Sequence, residues 1–274
     1  MRSMHPQSTV TRRDHARTSA VEFRNVDAHN TATLALSEVS LSIDSGSVTA
    51  VIGPNGAGKS TMFALISGRL HPSTGTVSIS GRVADVLQAT SIDPQLRLTV
   101  NDVVRMGRYP SRGLFGAMRR SDHRACDEAL DRVDLLRLRS TPINELSGGQ
   151  RQRALVAQGL AQEAPVLLLD EPSAGLDVAS QQRILEVMRT EADTGRTVLF
   201  STHHMNDVNH ADTVVALDLT CVCCAPTETA LQDPAVKTLF DGTTRPTTGE
   251  SARRDQHHSH TAPRGAPYWS SRPD

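Results

Sequence analysis

The stretch Gly53-Pro54-Asn55-Gly56-Ala57-Gly58-Lys59-Ser60-Thr61 constrains the fold more than any other part of the chain. It reads G-x-x-x-x-G-K-S, follows the apolar run Val48-Thr49-Ala50-Val51-Ile52 and precedes Met62-Phe63-Ala64-Leu65-Ile66, which has amphipathic helical character. A strand that turns through glycines into a helix is the order a phosphate cradle requires. Glycines let backbone N–H groups turn inward without Cβ obstruction, and the helix N-terminus adds partial positive charge. In such a loop Lys59 reaches the β- and γ-phosphates of a nucleotide, and Ser60 offers its hydroxyl to Mg²⁺.

The flanking segments extend the same architecture. Val21 to Val26 and the second half of Leu34 to Ile43 alternate apolar and polar residues, which predicts antiparallel sheet ahead of the loop. Val83-Ala84-Asp85-Val86-Leu87-Gln88 reads as a strand ending on a glutamine. From Thr99 to about Arg139 two sets of apolar residues, Val100 to Met106 and Ala129 to Leu138, recur at helical spacing, with a turn-rich stretch between them. Leu146-Ser147-Gly148-Gly149-Gln150 opens a helix expected over Arg151 to about Gln162 and makes a second anion-binding end. Val166-Leu167-Leu168-Leu169 is wholly apolar and suits a strand buried on both faces, with Asp170 and Glu171 at its carboxyl end, where open α/β sheets bind ligands. A helix over Gln181 to Glu191, a strand over Thr197 to Thr202 with His203 at its tip, and a strand over Thr213 to Leu217 complete a largely parallel α/β core.

Residues 1–18, rich in Arg and His, and residues 241–274, rich in Thr, Pro, Arg, Ser and His, lack periodicity and are expected to be a disordered arm and tail around a domain at 19–240. A net charge of −1 and 3% aromatic residues argue against nucleic acid as a partner, by bulk charge or by base stacking. No run of about 18 apolar residues is present, and the Arg-bearing N-terminus has no apolar signal core, so the chain is expected to stay in the cytoplasm. Four cysteines do not make a disulfide framework.

Taken together, the loop, the Leu-Ser-Gly-Gly-Gln segment and the Val166–Glu171 run resemble the ATP-binding cassette ATPases, the motor subunits of ABC transporters, over roughly residues 20–240. The resemblance implies a P-loop NTPase fold: a RecA-like parallel-sheet core, an antiparallel β subdomain and an α-helical subdomain inserted at about 90–150. It implies ATP and Mg²⁺ as ligands. Gly53 to Thr61 hold the nucleotide; Ser60, Gln88 and Asp170 serve Mg²⁺; Glu171 polarises the attacking water; His203 is the switch histidine, with His204 its neighbour and competitor; and Gln88 senses the membrane subunit. It further implies a head-to-tail homodimer in which Ser147, Gly148, Gly149, Gln150 and the D-loop residue Asp177 reach the ATP bound by the other copy. Integral membrane permease subunits, and indirectly an extracytoplasmic solute-binding protein, follow as partners at the cytoplasmic face of a bacterial membrane. Cassettes usually stack an aromatic residue on adenine in the region of His29 to Thr33; here there is none, and His29 is the one ring that could stand in.

Cargo is implied only by likeness. The run Val100-Asn101-Asp102-Val103-Val104-Arg105-Met106-Gly107-Arg108-Tyr109 resembles the metal-ion and metal-chelate importers, and Val83 to Pro94 with Gly159 to Gln162 is similar to zinc and manganese importers; iron–siderophore or haem import is the competitor. A soluble cassette without a membrane partner is the alternative from another class. Cys221 and Cys223, expected on one side of a strand, with Cys224 and the tail residues His257, His258 and His260, invite a metal-site reading against which buried small hydrophobes and a solvated tail stand as the plainer account.

Overall fold

A computed structural model of the protein describes residues 18–30, 33–86, 97–109 and 117–240. Strand β1 (Ser19–Asn30) pairs antiparallel with both β2 (Thr33–Asp44) and β4 (Thr74–Ile79), giving a small sheet in the order β2-β1-β4. The alternation read in the sequence is the cause: Val21 and Phe23 stand opposite Ile43 and Leu41 and are buried with them, while Glu22 stands opposite Ser42.

The second sheet has the order β5-β6-β7-β3-β8-β9, with β3 at Val48–Ile52, β5 at Val83–Val86, β6 at Val166–Leu169, β7 at Thr197–Ser201, β8 at Thr213–Asp218 and β9 at Thr220–Pro226. Every pairing is parallel except β8 with the edge strand β9. Strands β3, β6 and β7 are buried throughout because each face meets a different core. On one face Val48, Ala50, Ile52, Leu167, Leu169, Val198 and Phe200 pack against α2 (Val100–Met106), α3 (Arg120–Arg132), α4 (Gly148–Leu160) and α5 (Val178–Asp193). On the other, Val51, Val166, Leu168 and Leu199 join Met62, Phe63 and Ile66 of α1 (Lys59–Ile66) and the inner side of the antiparallel sheet. Each fully buried Leu, Val or Phe contributes roughly 1.5–3 kcal/mol of transfer free energy, so the two-faced sheet is the main store of stability. Beyond these elements lie three short helices, α6 (Met205–Val208), α7 (Thr227–Ala230) and α8 (Pro234–Phe240).

Helices α2 and α3 are tied to the chain after α4 by charge as well as packing. Buried Arg108, just past α2, donates to Asp122 of α3 at 3.0 Å and to Glu163 and the Ala161 carbonyl after α4 at 2.7 and 2.6 Å. Removing one partner of such a buried network leaves an uncompensated group, which is strongly destabilising.

Helix starts differ from the sequence expectation for a local reason. Helix α4 begins at Gly148 rather than Arg151 because Ser147 and Gln150 form a reciprocal capping box, and α5 begins at Val178 rather than Gln181 because Asp177 caps it. Gln88, residues 1–17 of the expected arm at 1–18, residues 110–116, and the tail with His257, His258 and His260 lie outside the described residues.

The expectation that Cys221 and Cys223 share a strand face is overturned. A β-bulge shifts the register so that Cys223 stands opposite Ala216 and Cys221 opposite Leu217, leaving Val222 as the extra residue. Cys223 therefore packs on one core and Cys221 on the other. Burial pushes both thiols up, Cys221 to about 11, so neither offers a thiolate near neutral pH. Among the described residues no group of three or more His, Cys, Asp or Glu side chains is arranged to hold a metal.

Candidate nucleotide site

Three neighbouring strands, in the order β6-β7-β3, deliver their carboxyl ends to one edge of the parallel sheet. After β3 the chain turns through Gly53 and Gly58, at φ 149° and 100°, into α1. Neither glycine can be replaced at no cost. A Cβ on Gly53 would collide with the Leu217 carbonyl oxygen, and one on Gly58 with the Ala35 carbonyl oxygen. The loop, from Asn55 to Thr61, lines a trough of about 450 Å³ together with Asn30, Leu34 and Ala35 of the β1–β2 hairpin and with Asp170 and Glu171.

Lys59 is 9% exposed, and its ammonium donates to the carbonyls of Gly53 at 2.8 Å and Pro54 at 3.1 Å. Burial lowers its pKa, with Glu171 and Asp170 opposing the shift. Ser60 Oγ donates to Asp170 Oδ2 at 3.3 Å. The other carboxylate oxygen, Oδ1, accepts from Ser201 Oγ at 2.6 Å, and the same hydroxyl oxygen accepts from the Glu171 N–H at 2.8 Å. One hydroxyl at the end of β7 thus fixes both acidic residues at the end of β6. Glu171 needs that support because it sits at φ 47°, the left-handed region, which costs a non-glycine residue about 1–3 kcal/mol and clusters at working sites. Its Oε1 lies 3.7 Å from Nδ1 of His203, whose side chain is half exposed. The His204 ring stacks obliquely on His203, with centroids 4.0 Å apart, and its backbone N–H is bound to Thr202 Oγ1. His203 is therefore the histidine that approaches the Glu171 carboxylate.

The remaining sequence candidates lie away from the trough. Ser147 N–H donates to Gln150 Oε1 at 3.0 Å and Ser147 Oγ accepts from Gln150 N–H at 3.2 Å, so both residues are committed to starting α4. Gly148 has open space around it, whereas a Cβ on Gly149 would collide with Ser180 Oγ. The second glycine is thus demanded by packing against α5 inside the same chain. Asp177 accepts from Ser180 N–H and Oγ, the bonds that do most to hold its pKa down. At the other end, His29 does not face the trough: Nδ1 is 2.9 Å from Ser73 Oγ. Leu34, 39% exposed and opposite His29 in the hairpin, lines the trough there. Sequence reasoning missed Leu34 and Ser201. Hydropathy alone does not mark either, though Ser201 stands two residues before a histidine at a strand tip.

The match to a family model decides the membership: residues 36–174, half of the chain, fit the ABC transporter model. The chain belongs to the ABC transporter family. It is 37% identical over 225 residues to the manganese transport system ATP-binding protein MntA of Synechocystis sp., an alignment covering 78% of this chain and 86% of that one. Among solved structures, the cassette of a metal-chelate type ABC transporter in an inward-facing conformation matches with a TM-score of 0.75 and 30% identity, over 81% of this chain and 89% of that one. A dimeric bacterial ABC transporter cassette matches with a TM-score of 0.66 and 26% identity, over 76% of this chain and 98% of that one. The α/β fold with its parallel core, antiparallel sheet and helices is that of the ABC ATPases, and this cassette is a nucleotide-binding ATPase subunit of a transporter. No helix among the described residues is long and apolar enough to cross a membrane.

Proposed function

We propose that this cassette drives import of a transition-metal ion, manganese or zinc, through permease subunits at the cytoplasmic face of a membrane. The observation that carries the cargo is the 37% identity to a manganese system over most of both chains. The likeness to a metal-chelate type transporter, with 35% identity over 228 residues to the chelated iron transport system membrane protein YfeB of Yersinia pestis, favours an iron chelate as the second reading.

In this reading Lys59 and the N–H groups of the Gly53–Thr61 loop bind the ATP phosphates. Ser60 Oγ and Asp170 Oδ2, neighbouring hard oxygen donors that both line the trough, suit Mg²⁺. The ion, when bound, neutralises charge on the β- and γ-phosphates. Glu171 Oε1 accepts a proton from the attacking water, and His203 steadies that water from the other side. A second copy completes the site, its Ser147 and Gly149 facing the γ-phosphate, as the match to a dimeric cassette supports. Hydrolysis then opens the pair, and the permease uses that motion.

Glu171→Gln separates binding from chemistry: ATP should bind as before and hold the chain as a dimer with turnover down about 100-fold or more. Turnover at the parental rate would remove Glu171 from this role. Metal content of cells lacking the protein decides the cargo. A fall in manganese or zinc supports the first reading, a fall in iron alone the second, and unchanged metals would end both.

A further inference from the structure

Asp207 is fully buried, follows the switch histidine by four residues, and has no part in the chemistry described above. Its carboxylate gathers three side-chain donors from three separate segments. Oδ2 accepts from Ser173 Oγ at 2.5 Å and from Thr202 Oγ1 at 3.0 Å, while Oδ1 accepts from Gln181 Nε2 at 2.5 Å. Ser173 lies two residues past Glu171, in a turn closed by the Ala174 N–H donating to the Glu171 carbonyl at 3.3 Å. Thr202 immediately precedes His203, and Gln181 lies on α5, the helix that Asp177 caps.

We propose that Asp207 is a positioning residue that sets the spacing of Glu171 and His203 and couples it to the Ser173–Asp177 loop. One oxygen holds Ser173 and Thr202 together, so the turn bearing Glu171 and the strand end bearing His203 cannot part without breaking a bond to it. The gap being set is 3.7 Å, too long for a direct hydrogen bond and therefore dependent on what holds its two sides. Gln181 adds the third point of the clamp. A partner copy that shifts the Ser173–Asp177 loop moves Ser173 against Asp207, and Asp207 moves Thr202 and His203 with it. The same bonds also explain why a carboxylate is tolerated at a fully buried position: its lone pairs are satisfied by neutral donors.

This inference rests on the reading of Glu171 and His203 as the hydrolytic pair. The test is Asp207→Asn in the full chain, which preserves volume but cannot accept from all three donors. Steady-state ATPase, nucleotide binding and melting temperature are measured together. The expected result is a kcat lower by about ten-fold or more with KM for ATP within about two-fold. In a His203→Ala background the same substitution should cost less than about two-fold, because the residue acts through that histidine. Ser173→Ala, which removes one bond and leaves the carboxylate in place, should lower kcat by about three-fold without changing KM, and keeps the test open if Asp207→Asn does not fold. A folded Asp207→Asn with the parental kcat, or one that costs the His203→Ala enzyme as much as the parent, overturns the proposal, as does Ser173→Ala at the parental rate. Failure of the underlying reading shows separately, as undiminished turnover by Glu171→Gln.

Discussion

The two ends of the nucleotide trough are built to different standards. At the phosphate end, Ser60, Asp170, Glu171 and Ser201 are joined by hydrogen bonds, Lys59 is tied to the Gly53 and Pro54 carbonyls, and the backbone is held in positions that glycines alone, or a supported glutamate, can adopt. At the base end the described lining is Asn30, Thr33, Leu34 and Ala35, with no aromatic ring, and the nearby His29 is turned to Ser73. On the proposed reading, binding energy and chemistry lie at the triphosphate, and the base is left to an aliphatic contact. Charge-assisted bonds to phosphate are about twice as strong as neutral ones, whereas one half-exposed leucine offers a part of the roughly 1.5–3 kcal/mol that full burial would give.

The largest effect is expected from Lys59→Ala. It removes the ammonium that bridges the Gly53 and Pro54 carbonyls as well as the charge facing the phosphates, so ATPase activity should fall about 100-fold or more. Retained activity in a filter-binding and phosphate-release assay would mean that the triphosphate does not lie over this loop. Ser201→Ala comes next. It leaves Asp170 Oδ1 and the Glu171 N–H without the partner they share, a loss of about 1–3 kcal/mol in that site. A kcat about ten-fold lower, with ATP affinity little changed, is the expected outcome; an unchanged kcat would show that the strained Glu171 backbone holds its place unaided.

Much of the phosphate end is legible in the sequence because it is written in contiguous residues. A strand buried on both faces shows as an unbroken apolar run, and Val166 to Leu169 and Val48 to Ile52 are such runs, each followed at once by its working residues. What is not legible depends on neighbours set by tertiary crossovers. Ser201 matters because β7 lies between β6 and β3, and Asp207 because a turn after β6 passes over it. The bulge at Val222 reverses the expected facing of the cysteines, since period-two reasoning has no sign for one inserted residue. The base end gives no pattern at all: Leu34 is an ordinary strand leucine until the hairpin brings it to the trough.

Leu34→Tyr supplies the ring that the base end lacks. Aromatic stacking is worth about 0.5–1.5 kcal/mol beyond area burial, so ATP should bind about two- to ten-fold more tightly and GTP should gain less. Equilibrium titrations with both nucleotides on the parent and variant measure this. Weaker binding by the variant would mean that the base does not lie over Leu34.

The smallest effect is expected from His29→Ala, and it is the substitution that most directly tests the base end. Because the imidazole is held by Ser73, its removal costs one exposed hydrogen bond, about 0.5–1.5 kcal/mol, and a few degrees in melting temperature. ATP affinity should stay within about two-fold. Ser73→Ala provides the internal control, because it frees the ring without deleting it. Should His29→Ala weaken ATP ten-fold while Ser73→Ala leaves it unchanged or tighter, the ring leaves Ser73 to stack on the base when nucleotide arrives. The two ends of the trough would then differ in preorganisation rather than in composition: the phosphate end built before binding, the base end assembled by it.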